Sequence, residues 1–582
     1  MSAGKFAGTQ REAVAHLATS RPRVLGWWRS AALLDGDWGT SIAYVLGIGF
    51  ALAGYSSFWH LMLMLGLTSL VAFNYITICR LYPTGGGVYS SVHHRSPNVA
   101  VIGALLLGAD YVITISLSVF EAGHYFGIPS PTIWAITLIA AVGALNWFGP
   151  KHSSGLAIII SLLTIGTLAV IIIVSAPTAL ASAAVQPTSG GFFKNWGIFV
   201  GIILSISGIE AVSNMTGLMK HPGADSKKAI FAVLAKVIIA TVFLALAMHA
   251  VPNISGHTED MVRFLGEHYV GDWFGWIVAL SLGVLLLSAG NTALNDLVSI
   301  QFLMSVDGEL PAPLRRLNRH GVPIIPLVLS TAAPITVLIF VHDVITLAQL
   351  YAIGVVGAIL INVGSTATDK SLNLPRSTRN LMLISAAILF LVEISIAFGK
   401  PKATLFAGIV LAIGLAARQV AKLRKAARAP QATPMLELGT HRTRVRHPAP
   451  GMRFLVAMKD RSDRLLRFAI EEAQARKALL IVLRVKEIAI SALPERLELR
   501  LDAADEWIED QCLNADIDYQ IICIPSNEAG YTIAEQAAIL GAERVILGTT
   551  RRSLLEKVLK GNVLRSVGSL LPEEVQLVIF GG

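Results

Sequence analysis

Apolar residues along the first 420 positions gather into blocks of about twenty, separated by short polar breaks. A helix of roughly 20 residues crosses the ~30 Å hydrocarbon core of a bilayer, so each block predicts a transmembrane span. The blocks lie near 31–54, 58–79, 99–125, 131–148, 154–175, 195–218, 229–251, 271–299, 323–342, 344–364, 378–398 and 403–420. They predict an all-α, polytopic membrane domain of twelve helices over 31–420. A basic, proline-containing linker follows at 421–450, and then the period changes. From Met452 the runs FLVAM, ALLIVLRV, YQIICI, RVILGT and VQLVIF alternate with helical stretches such as Ser462 to Ala475 and Leu493 to Cys512. That alternation predicts a five-stranded parallel, doubly wound sheet in a soluble α/β domain over 451–582.

Composition supports lipid as the main solvent. Only 15% of the residues are charged and 54% are hydrophobic, against about 25% charged in soluble domains. The net charge of +9 does not point to nucleic acid, because the cations fall in loops and in the tail. Arg80, Arg95, Lys151, Lys220, Lys227, Lys228, Arg315, Arg316, Arg319, Lys370, Arg376 and Arg379 share one side, while the other side offers Lys194, Arg263, Lys400 and Lys402. By the positive-inside rule both termini are expected in the cytoplasm, as in a multi-pass protein of a bacterial-type inner membrane. The polar segment 1–30 carries no secretory signal pattern, and it is expected to remain as a cytoplasmic N-terminal segment. Cys79, Cys512 and Cys523 have no metal-ligand or disulfide spacing and are expected to be inert thiols. The loop Pro83-Thr84-Gly85-Gly86-Gly87 lacks the ending of a phosphate loop and is expected to be a tight re-entry between spans.

The chemistry sits in polar residues placed where lipid should be. A charged group at the centre of a span costs at least ~2.5–3.5 kcal/mol on insertion scales, so it marks a candidate site. Span 1 contains Asp35-Gly36-Asp37-Trp38-Gly39-Thr40-Ser41, and span 6 contains Ser205-Ile206-Ser207-Gly208-Ile209-Glu210. Both stretches weaken a helix, and their separation by five spans fits inverted repeats with a broken helix in each. On span 3, Asp110, Thr114, Ser118 and Glu121 recur every three or four residues and share one face. Tyr44 shares a face of span 1 with Asp37 if that helix is continuous. Asp35 and Glu121 have the alternative of lying at span ends in contact with water, and His124 is expected at the interface. No span centre is expected to offer an Arg or Lys to an anionic substrate. Oxygen-rich, acidic walls suit a hard cation, and desolvation of Glu210 suits a proton-coupling role.

The segment Asp37-Trp38-Gly39-Thr40-Ser41-Ile42-Ala43-Tyr44, with Tyr82-Pro83-Thr84-Gly85-Gly86-Gly87-Val88-Tyr89 and Asp110-Tyr111-Val112-Ile113-Thr114, resembles the KimA-type potassium importers of the KUP family, within the amino acid-polyamine-organocation superfamily. The resemblance continues through Gly208-Ile209-Glu210-Ala211-Val212-Ser213-Asn214, Ala289-Gly290-Asn291-Thr292 and Leu350-Tyr351-Ala352-Ile353-Gly354. It implies a LeuT-like fold of two inverted five-helix repeats plus two further helices, importing K⁺ with H⁺ by symport. It also implies a K⁺ site formed by Asp37, Tyr44, Asp110, Thr114, Ser118, Ser207 and Tyr351, with Asp37, Asp110 and Thr114 holding the ion and Glu210 coupling the proton. Ser207 stands where the family has Thr. A proton-coupled amino acid permease of the same superfamily is the competing reading, and a polyamine permease is a third. An acid beside the span 1 break would repel an amino acid's carboxylate, which favours the cation.

Residues 452–581 resemble a universal stress protein domain. Gly548-Thr549-Thr550-Arg551, nine residues and then Gly561-Asn562 reproduce the spacing of that family's phosphate loop, although Arg551 replaces its second Gly and Asn562 its final hydroxyl residue. Lys459 stands after the first strand, where nucleotide-binding members keep Asp. The resemblance leaves two readings open. In one, Lys459, Gly548, Arg551, Gly561 and Asn562 bind a nucleotide such as ATP, AMP or a cyclic dinucleotide; in the other, the loop serves only to form a homodimer. No catalytic nucleophile, Walker motif or required cofactor is expected, so the chain does not read as an enzyme.

Overall fold

A computed structural model of the chain describes residues 25–149, 154–252, 254–427, 442–445, 451–459, 461–489, 503–549 and 562–581. The membrane region runs through α1 (Trp27–Asp37), α2 (Ser41–Ala53), α3 (Ser57–Leu81), α4 (Gly87–His93), α5 (Pro97–Tyr125), α6 (Pro131–Asn146), α7 (Ser154–Ser182) and α8 (Phe192–Gly201). It continues through α9 (Ala211–Met215), α10 (Pro222–His249), α11 (Met261–Tyr269), α12 (Asp272–Val306), α13 (Ile324–Phe340), α14 (Val344–Thr368), α15 (Arg376–Gly399) and α16 (Pro401–Ala427).

Among the described residues, eight helical stretches are long and apolar enough to cross a membrane, and nine if a pair bent by 47° between Phe192–Gly201 and Ile203–Leu218 is one span. The chain is a multi-pass membrane protein. The first stretch, Trp27–Leu81, has 55 residues, which would reach about 80 Å if straight. It folds back at Gly54, whose φ of +54° suits glycine, and α2 packs against α3. Two further apolar helices, α6 and α13, are shorter than a full span. At the centre stands α5, packed between α12 and α14. Gly354 of α14 lets the two backbones touch, since a Cβ there would lie 2.8 Å from the Asp110 nitrogen.

The loop at Pro83 is the expected tight re-entry. Gly85, Gly86 and Gly87 have φ of +82°, +88° and +58°, and the chain turns straight into the short helix α4.

The tail is an α/β layer. Its strands are β1 (Arg442–Arg444), β2 (Arg453–Met458), β3 (Leu479–Glu487), β4 (Tyr519–Ser526), β5 (Arg544–Gly548) and β6 (Gln576–Phe580), in the order β1-β4-β3-β2-β5-β6. Helices α17 (Asp463–Arg476), α18 (Ala503–Asn514), α19 (Ala529–Ile539) and α20 (Val563–Leu570) cover it. Strand alternation sorts the two faces. Phe454 and Val456 pack with Leu466 and Ile508 on one side, while Leu455 packs with Ile533 and Val567 on the other.

The expected five-stranded parallel sheet is one strand short. β2 to β6 are parallel, but β1 adds antiparallel to the edge of β4 through Arg442 opposite Ile521. That strand, Arg-Thr-Arg, lies in the segment read as a linker. It has no hydrophobic alternation and is held by its backbone at a sheet edge, so it carries no strand signal in sequence.

Candidate functional site

Both polar breaks are real interruptions of helix. α1 ends at Asp37 and α2 begins at Ser41, and the freed carbonyls find local partners. The Thr40 hydroxyl donates to the Asp37 carbonyl at 2.5 Å and the Ser41 hydroxyl to that of Trp38 at 2.9 Å. In the second break Ser207 is extended, with ψ of 154°, and Gly208 has φ of +88°. Ser213 then donates to the Glu210 carbonyl at 2.6 Å. The two breaks touch. A Cβ on Gly208 would lie 2.6 Å from the Asp37 carbonyl carbon and the Trp38 nitrogen, so only glycine fits this crossing.

Around that crossing the structure gathers most of the expected site residues. Asp37 lies within electrostatic reach of Glu210. Asp110 lies within electrostatic reach of Glu210, Tyr351 and Asp37, and Tyr44 within that of Asp110 and Glu210 and beside Thr40. Ser207 and Tyr351 share a hydrogen bond, and Tyr351 also faces Thr114. The Thr114 hydroxyl donates to the Asp110 carbonyl at 3.0 Å. Glu210 Oε1 accepts from the Gly208 amide at 3.2 Å. Four carboxylate oxygens here are buried without a hydrogen-bond partner: Asp37 Oδ2, both of Asp110, and Glu210 Oε2. Ser118 is buried one turn beyond Thr114. Glu121 lies further along α5, toward Glu259 and Asp260.

Two acids, Asp296 and Glu393, and one cation fall outside the sequence reading. Lys236, in the middle of α10, donates to Asp35 Oδ1 at 2.6 Å and Oδ2 at 2.8 Å, and the Ser161 hydroxyl reaches Oδ2 at 2.7 Å. This corrects one expectation, because a span centre does hold a lysine; Asp35 itself is 2% exposed, against the alternative that it is wetted at a span end. Glu121 is likewise fully buried, with both carboxylate oxygens unpartnered. His124 stays nearer the surface, its Nδ1 3.1 Å from Glu259. Asp296 of α12 accepts from Asn214 at 3.0 Å and from the Tyr111 hydroxyl at 3.4 Å. It borders a cavity of about 20 Å³, room for one water-sized guest. Glu393 of α15 approaches Gly357, and its Oε2 is buried without a partner. The same insertion cost that flags Asp110 flags Lys236, Asp296 and Glu393.

Among the described residues, no three His, Cys, Asp or Glu side chains are grouped tightly enough to hold a metal ion. The crossing is a mixed lining of carboxylates and hydroxyls. In the tail, Lys459 follows β2 and Gly548 ends β5, while Asn562 caps α20 by accepting from the Leu564 amide at 3.0 Å. Arg551 and Gly561 lie outside the described residues.

Apolar spans around two touching helix breaks, lined by buried acids, define a membrane transporter. The chain belongs to the amino acid permease family, whose model matches residues 25–366. Residues 452–578 match the universal stress protein family. No curated protein matches the chain. Among solved structures, the crystal structure of MhsT in complex with L-phenylalanine is similar with a TM-score of 0.44 and 16% identity, over 64% of this chain and 99% of that one.

Proposed function

We propose that the chain is a secondary active transporter that imports potassium ions with protons and is regulated through its cytoplasmic tail. The observation that carries this reading is the set of unpartnered, buried carboxylate oxygens of Asp37, Asp110 and Glu210 around one helix crossing. Uncompensated oxygens in a low-dielectric site are costly, and a desolvated monovalent cation or a proton offsets that cost. The hydroxyls of Tyr44, Thr114, Ser118, Ser207 and Tyr351 would complete the K⁺ shell, and Glu210 would carry the proton. Lys236, part-buried on α10, is committed to Asp35, so its ammonium is not free to hold a substrate carboxylate. The same reading takes twelve crossings in a LeuT-like pair of inverted repeats, both termini in the cytoplasm of a bacterial-type inner membrane, and a homodimer through residues 451–582.

Family membership favours a second reading, a proton-coupled amino acid or polyamine permease. Growth of a potassium-uptake-deficient bacterium at limiting K⁺ separates the two. Wild type restores growth, while Asp37→Asn and Asp110→Asn lower uptake at least tenfold at equal expression. Uptake of labelled amino acid or polyamine without growth rescue would transfer the assignment to the permease.

A further inference from the structure

The tail and the membrane domain meet at a built seam. Past the end of β3, Ala489 donates its amide to the Gly321 carbonyl at 2.9 Å. Ile488 is 1% exposed and packs on Phe302, which is 2% exposed, flanked by Val306 and Leu317. Phe302 and Val306 form the last turns of α12, and Gly321 lies in its connection to α13. Gly321 has φ of +81° and a Cβ there would collide with the Glu487 carbonyl oxygen, so no larger residue fits there. Lys459 reaches the Arg319 carbonyl at 3.5 Å.

Beside these contacts lies a cavity of about 240 Å³, lined from the membrane side by Arg319 and from the tail by Lys459, Arg484, Lys486, Glu487 and Cys523. Four cationic side chains border it against one carboxylate. Arg484 also pairs with Asp505 at 2.5 Å, so Arg319, Lys459 and Lys486 set the sign of the field. The cavity opens beyond the carboxyl ends of β2, β3 and β4, where open α/β sheets hold their ligands. Its volume falls below the ~300 Å³ at which drug-sized sites begin. The cavity has room for a phosphate or diphosphate group.

We propose that this seam is an anion site shared by transporter and tail, which takes a small soluble phosphate-bearing ligand. The inference deepens the reading of the tail as a regulatory domain. A ligand that needs both walls binds only where tail and α12–α13 connection are docked, so it shifts the population toward that state. Occupancy therefore holds the cytoplasmic end of α12, the helix that carries Asp296, and slows transport.

The test uses the purified full-length protein in detergent with inorganic pyrophosphate and, separately, ADP, at ionic strength matched with NaCl. Saturable binding is expected for the wild type. Losing one charge-assisted contact to the ligand weakens binding at least tenfold, and this is expected for both Arg319→Ala and Lys459→Ala. Arg319→Lys, which keeps the charge and reports on folding, stays within about threefold. Absence of saturable binding overturns the proposal, as does binding that is lost in Lys459→Ala and unchanged in Arg319→Ala, which places the ligand in the tail alone. Nanodiscs of phosphatidylglycerol form the second arm: an Arg319-dependent rise in melting temperature that pyrophosphate does not reverse assigns the cavity to a lipid headgroup and overturns the soluble ligand. None of these measurements needs a transported substrate, so their failure is distinct from failure of the potassium reading.

Discussion

Removing Lys236 would strand Asp35, a carboxylate 2% exposed between α1, α7 and α10. Breaking one side of a buried ion pair costs about 3–5 kcal/mol, whereas replacing both partners can be nearly neutral. Lys236→Met is therefore expected to lower the melting temperature of the detergent-solubilised protein sharply, and the double variant with Asp35→Asn to recover most of the loss. Equal damage in single and double variants would mean that the lysine acts on something other than Asp35. On the proposed potassium reading, Glu210→Gln is expected to keep K⁺ binding while losing the pH dependence of uptake; an unchanged pH profile removes Glu210 from proton coupling. Asp37, Asp110 and Glu210 were legible in sequence because a charge in an apolar block has to be explained. Lys236 broke the same rule within Ile-Phe-Ala-Val-Leu-Ala-Lys, but its partner depends on how α10 packs against α1, which no local pattern encodes.

At the level of elements, the two helix breaks were foreseen from glycine and hydroxyl content, and their mutual contact was not. Gly208 makes that contact testable. Gly208→Ala would push a methyl to within 2.6 Å of the α1 break in a backbone conformation that alanine resists, a conflict of roughly 1–3 kcal/mol. Uptake is expected to fall at least tenfold, with a smaller loss at Ser205→Ala on the same segment. The strand–helix alternation of the tail followed from the alternating runs, while β1 did not, since edge pairing through the backbone asks nothing of side chains. In α19, burial raises the Glu535 carboxyl to about 7. A carboxyl that ionises near 4.5 when unfolded and near 7 when folded favours the folded tail most at low pH. That contribution declines as pH rises from about 4.5 through 7. Tail unfolding in the full chain, followed from pH 4.5 to 8, is expected to show this decline, and Glu535→Gln to flatten it.

For the whole molecule, the seam at Ile488 joins a soluble domain to the end of a helix that lines the membrane site. Sequence distinguished an apolar helical region from an α/β tail, yet gave no sign that they touch, because Ile488 reads as one more apolar residue at a strand end. A disulfide between Leu317→Cys and Ile488→Cys would fix the seam, made in a Cys523→Ser background because Cys523 lines the same cavity as Leu317. Oxidation is expected to cut uptake at least fivefold and reductant to restore it. Full uptake in the oxidised protein would show that the seam does not move during transport.

The pairing of β1 with β4 has a further effect through chain length. With Arg442 fixed to the sheet, the tether from Ala427 of α16 extends at most about 50 Å. A domain held so close meets its docking surface at an effective concentration in the millimolar range. Contacts too weak to survive between separate molecules then remain mostly closed, and a modest change in ligand level suffices to tip them.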